Sequence, residues 1–253
     1  MAFRSFTFTR LKTALAVMLA IPAFAVATPA SAQENIGAQT AAALPDRGEF
    51  MLALFSAGER DGFMRLGWIK TEEGVQLYDR SMLTSSELYE VMALSLTPDL
   101  QLDTASVQLH RGTAYMDLDL QVADGRASGS RVIHRLEGTE SRSVDLEVPA
   151  GTLPRAAAFL MPLVMPETDG AQNAFHWYGA LGNAFADVTI TARLGGMIVT
   201  PAGSFDTTRY EIRGGAPEND VYVTHGEDRR VVRIDVIGSE LQFLALPEPE
   251  AAE

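Results

Sequence analysis

Four histidines, His110, His134, His176 and His225, are the side chains best suited by type to proton transfer or metal binding. None lies three or four positions from another, so no helical turn can present a chelating pair. His110 and His134 flank Asp124-Gly125, and a hairpin there lets them face each other across adjacent strands. A slip of one residue would part them, so strand histidines and no metal are the expectation. Nucleophilic chemistry fares no better. No Gly-x-Ser-x-Gly elbow occurs, and Ser130 and Ser204 stand among hairpin signals. The chain has no cysteine, which removes thiolate catalysis and disulfides together. Gly195-Gly196 and Gly214-Gly215 follow strands without opening a helix, so they form no dinucleotide cradle. Asp117 and Asp119 share the polar face of a strand and read as solvated surface. No catalytic residue and no cofactor is assigned.

What remains is an aromatic and apolar cluster. Phe175-His176-Trp177-Tyr178-Gly179 is the densest aromatic run, and Trp68 lies on an early strand. Tryptophan and tyrosine suit a boundary between an apolar ligand and water, because each joins a greasy body to one polar tip. Just upstream, Leu153–Leu163 is apolar nearly all round, with Phe159, Leu160 and Leu163 as its large side chains. The candidate ligand-binding set is therefore Trp68, Phe159, Leu160, Leu163, His176, Trp177 and Tyr178.

The elements that must position these residues are strands. Phe50, Leu52 and Leu54 alternate with smaller residues, and Met64, Leu66 and Trp68 interleave with Arg65 and Gly67. Val75–Tyr78 and Leu88–Leu96 continue the β-prone character. Met116, Leu118, Leu120 and Val122 against Asp117, Asp119 and Gln121 make the clearest strand with one buried face. Val188, Ile190, Ala192 and Leu194 repeat the pattern, as do Val232, Ile234 and Val236. Asp61-Gly62, Asp124-Gly125, Glu137-Gly138, Gly195-Gly196 and Gly226-Glu227 supply turn chemistry between the runs. Thr152-Leu153-Pro154 predicts a capped start to one short buried helix, which Pro162 ends or kinks. The fold class expected is mainly β: a curved antiparallel sheet or partly closed barrel wrapped around one short apolar helix.

The ends carry a different message. Arg4, Arg10 and Lys12, then the apolar stretch Ala14–Ala27, then Thr28-Pro29-Ala30-Ser31-Ala32 predict a signal peptide over 1–32, cut after Ala32. The apolar stretch is short for a membrane span, which needs about 20 residues. Cleavage leaves 221 of 253 residues and moves the formal charge from −13 to −16. Residues 33–45 read as a flexible leader without a useful period, 46–246 as a single β domain, and 247–253 as a disordered acidic tail. So acidic a chain is repelled by phosphate backbones and anionic headgroups, which argues against nucleic acid as a partner. The expectation is a soluble periplasmic protein with no integral span in the mature chain.

The C-terminal part, Ile198-Val199-Thr200-Pro201-Ala202-Gly203-Ser204-Phe205-Asp206-Thr207-Thr208, is a strand, a tight turn and a strand. With the Thr97-Pro98-Asp99-Leu100 turn and the apolar Leu153–Leu163 segment, it resembles an uncharacterised family of proteobacterial periplasmic β-proteins. That family is similar in turn to lipoprotein-carrier and envelope-integrity proteins. The resemblance implies a curved sheet around a helix and transfers no catalytic residue. Three functions stay open at this point. The leading one is binding of a lipid or other apolar ligand, or of an envelope component, in a β-lined cavity. The others are a hydrolase or isomerase using His176 with a nearby carboxylate, and an adaptor for another envelope protein.

Overall fold

The computed structural model describes residues 30–180 and 182–247. The expected signal peptide lies almost wholly outside these residues, and so does the acidic tail beyond residue 247. A helix α1 (Ala30–Ala43) precedes fifteen strands. These are β1 (Arg47–Ser56), β2 (Glu59–Lys70), β3 (Val75–Leu83), β4 (Leu88–Leu96), β5 (Leu102–Arg111), β6 (Ala114–Ala123), β7 (Arg126–Arg135) and β8 (Gly138–Glu147) in the first half. The second half holds β9 (Leu153–Pro154), β10 (Gln172–Gly179), β11 (Ala184–Thr200), β12 (Gly203–Arg213), β13 (Asn219–Thr224), β14 (Val231–Val236) and β15 (Leu241–Ala245). No helix among the described residues is long and apolar enough to cross a membrane.

All fifteen strands belong to one curved sheet that does not close, in the order β8 to β1 and then β15 to β9. Every neighbouring pair is antiparallel except β9 with β10. The curvature follows from the connectivity. Laid flat, fifteen strands at about 4.8 Å spacing would span roughly 67 Å. The chain nevertheless passes from one edge strand, β8, to the other, β9, through residues 148–152. So short a link reaches about 20 Å at most. The two edges must therefore turn toward each other, and the concave face between them becomes the core.

Alternation places the predicted apolar faces on that side. Leu52, Leu66, Leu118, Val188, Ile190 and Ile234 are among its fully or nearly fully buried residues. Asp124 and Gly125 both adopt positive φ and reverse the chain between β6 and β7. The Thr200–Gly203 turn joins β11 to β12 as the sequence predicts. Two expected turns are bulges instead. Asp61-Gly62 and Gly195-Gly196 lie inside β2 and β11, where the register shifts by one residue. A glycine within a strand serves a bulge as readily as a reversal. Leu194, expected on the buried face, is 82% exposed beside the second bulge.

Two segments differ more. Residues 33–45 are not a structureless leader but continue α1 and its exit. The Ala- and Gln-rich run has strong intrinsic helix propensity without an amphipathic period. Thr40, Ala41 and Leu44 are buried, and a Cβ at Gly37 would fall 1.9 Å from the Asp99 carbonyl. That close approach seats α1 against the β4–β5 turn. The predicted helix over Leu153–Leu163 is likewise replaced, by strand β9 and two 3-10 turns, Arg155–Phe159 and Met161–Leu163. Pro154 and Pro162 lack the N–H groups that a continuous α-helical ladder requires. The segment is buried, as expected, from Ala156 to Pro162.

Candidate functional site

The segment from Leu153 to Met165 is held across the concave face at both ends. At its start, Leu153 and Pro154 pair with Trp177 and Tyr178 of β10. At its end, Arg229 donates from Nη1 to the Met165 carbonyl and from Nη2 to the Pro162 carbonyl, both at 2.7 Å. The Tyr210 hydroxyl donates to the Met165 carbonyl at 3.1 Å. Carbonyls left over by short 3-10 turns are thereby satisfied, each charge-assisted bond contributing about 1.5–3 kcal/mol.

Two adjoining cavities remain between this segment and the sheet, of about 330 and 200 Å³. The larger is lined by Leu94, Leu102 and Ala105 on one arm and by Trp177, Tyr178 and Phe185 on the other. Strands eight to ten places apart in the ladder thus face one space. The smaller is lined by Leu54, Met64, Met82, Phe159, Ile234 and Phe243, with Asp79 and Ser81. Glu90, Met92, Arg155, Ala156 and Pro217 line both and form the junction.

The junction is polar, and its chemistry is unusual for an apolar hollow. Asp79 and Ser81 occupy inward positions of β3 that continue the face of Val75 and Leu77. Glu90 sits between Leu88 and Met92 on the inward face of β4, directly opposite Ser81 in the register. The Ser81 hydroxyl donates to Asp79 at 2.9 Å. Burial pushes the Asp79 carboxyl up to about 6, against the lowering effects of Ser81 and of the Arg155 guanidinium. Burial, together with the charge of Asp79, pushes Glu90 up to about 7, again opposed by Arg155. Arg155 opens the first 3-10 turn, with its guanidinium 5.7 Å from the Phe159 ring and 5.6 Å from the Trp177 ring. Burial favours its neutral form and the two carboxylates oppose that. Its Nε is buried without a hydrogen-bond partner among the described residues.

Of the residues chosen from sequence, Phe159, Trp177 and Tyr178 reach the cavities. Burial pushes the Tyr178 phenol up to about 12, and its hydroxyl donates to Asn183 at 2.7 Å. The other four are placed elsewhere. Trp68 lines neither cavity: its indole lies on Gly48, where a Cβ would fall 2.1 Å from the ring, and its Nε1 donates to the Pro45 carbonyl. Leu160 is fully buried in the segment's own packing, and Leu163 is half-buried beyond it. His176 alternates outward between Phe175 and Trp177 and meets exposed Asp187 at 2.5 Å. A face-to-face His110–His134 pair does not form either. Tyr115 of β6 lies between them, its ring centroid 5.5 Å from His110 and 4.0 Å from His134. No group of three or more potential metal ligands assembles among the described residues.

Asp79, Glu90 and Arg155 were missed by reasoning from sequence. In an acidic chain a single carboxylate carries no signal, but its phase does. Asp79 and Glu90 fall on the buried phase of otherwise apolar alternation, and Arg155 is the one charge in an apolar run. No family model, no curated protein and no solved structure matches the chain.

Proposed function

We propose that this chain is an exported periplasmic protein of the cell envelope that binds an apolar ligand in the hollow between its curved sheet and the 153–165 segment. The observation that supports this best is the pair of joined cavities, walled by apolar side chains from both arms of the sheet. The larger has the size of an ordinary small-molecule site, and such sites favour apolar walls with few polar groups. The segment that bounds them is anchored at both ends, so ligand entry need not disrupt the sheet. The N-terminal signal pattern and the likeness of its turns to periplasmic β-proteins support the location.

Uptake of the neutral fluorophore N-phenyl-1-naphthylamine by the mature chain tests this reading. Saturable binding of one probe per chain is expected, and Ala156→Trp, which fills the junction, should abolish it. A second filling variant, Met92→Trp, approaches the same space from β4 and guards against misfolding of the first. Absence of saturable uptake by the unsubstituted chain would overturn the proposal.

A further inference from the structure

Arg155 makes no hydrogen bond and no ion pair with any described residue, although it lines both cavities. A guanidinium carries five N–H donors, and burying even one of them, here that of Nε, without an acceptor is costly. Two aromatic faces, those of Phe159 and Trp177, hold the group, which fixes its position without satisfying any donor. Glu90, which lines the same cavities from the sheet, has no hydrogen-bond partner among the described residues either. The two groups are electrostatically coupled yet form no contact within ion-pair distance. What fits between them is a group that accepts from both.

We infer that the hollow takes a single-chain amphiphile with an anionic head, whose charged oxygens accept hydrogen bonds from Arg155 at the cavity junction while the chain lies in the apolar space. This rests on the cavity-binding reading above and names its ligand class. The ionisable groups that face the junction are Asp79 from β3, Glu90 from β4, Tyr178 from β10 and Arg155 itself. Glu90 and Asp79 in their acid forms donate to the head or leave it unopposed; ionised, they repel it. Burial holds these carboxyls at about 7 and about 6, so the receptive state is populated in mildly acidic solution. Affinity for an anionic head therefore falls as pH rises through that range.

Displacement of N-phenyl-1-naphthylamine by laurate, dodecanol and dodecylamine, which share one chain length, tests the inference. At pH 5.5 laurate should compete at least tenfold better than either of the others, and at least tenfold better than laurate at pH 8.5. Arg155→Met should bring laurate down to the level of dodecanol, the ratio of the two competitors on that variant reporting the head group and not the shape of the cavity. Glu90→Gln should flatten the pH dependence. Equal competition by laurate and dodecanol, or preference for dodecylamine, would overturn the inference and leave the cavity reading standing. Failure of the neutral probe to bind at all would remove both. The ligand comparison on the unsubstituted chain decides the matter even where a variant fails to fold.

Discussion

Arg155 and Arg229 stand at opposite ends of one buried segment, each beside an aromatic ring and each with a buried Nε that makes no hydrogen bond, and they differ in what their terminal nitrogens do. Arg229 lies 5.8 Å from the Tyr210 ring and donates to the Pro162 and Met165 carbonyls and to the Tyr210 hydroxyl. Arg155 has two rings beside it and no acceptor among the described residues. The first arginine is consumed by the fold: its terminal nitrogens satisfy the Pro162 carbonyl and share the Met165 carbonyl with Tyr210. The second is positioned by the fold and not consumed by it. A buried cation placed without partners adds nothing to packing that an apolar side chain could not add, which is why its place at a cavity wall reads as binding rather than structure.

Breaking the pair apart should give unequal results. The largest effect is expected from Arg229→Met, which removes two charge-assisted hydrogen bonds and leaves the Met165 carbonyl to Tyr210 alone: about 3 kcal/mol of stability, or roughly a 6–12 °C fall in Tm by calorimetry. A fall under 2 °C would show that water replaces the guanidinium freely. Next in size is the pH response of the junction. The folded-state values of Asp79 and Glu90 lie above their ordinary ones, so the stability they contribute is complete below about pH 4. It is lost as pH rises through about 6 to 7. Glu90→Gln should therefore match the unsubstituted chain at pH 4.5 and exceed it by about 2 kcal/mol at pH 8 in urea unfolding. A constant difference across that range would refute the assignment. Smaller again is Arg155→Met, expected within about 1 kcal/mol of the unsubstituted chain at pH 5, where the two carboxyls are mostly neutral. A loss as large as that of Arg229→Met would erase the contrast. The smallest effect is expected for His176→Ala, within about 0.5 kcal/mol, because its pairing with Asp187 is exposed to water. Its ligand uptake should not change, since the side chain points away from the hollow.

Much of the sheet is legible in the sequence. Period-two runs such as Met116, Leu118 and Leu120 are buried where alternation puts them. The reversals at Asp124-Gly125 and Thr200–Gly203 stand where turn chemistry marks them. The misreadings have specific causes. Gly62 and Gly195 signal a break in regular pairing, and only the partner strand decides whether the break is a turn or a bulge. The residues 33–45 carry helix propensity without amphipathic phase, and a neighbour was needed to show which side is covered. At the site, the aromatic run correctly marked β10, but alternation alone turns His176 outward while Trp177 turns in. Trp68 was chosen for its type, and the glycine beneath it, Gly48 on the neighbouring strand, makes it a packing residue.

The amino-acid sequence by itself determined the strands, their buried faces and the buried, proline-interrupted segment between Leu153 and Leu163. Those properties depend on neighbours within a few residues, through side-chain alternation and backbone restriction. Only the tertiary structure decided that the arms of the sheet face each other across one hollow and that Asp79, Glu90 and Arg155 converge there. It also decided that Arg229 places its terminal nitrogens on backbone carbonyls while Arg155 makes no hydrogen bond with any described residue. Convergence of residues 65 to 76 positions apart is set by how the sheet curls and how a short edge-to-edge link closes it. No local pattern encodes that distance.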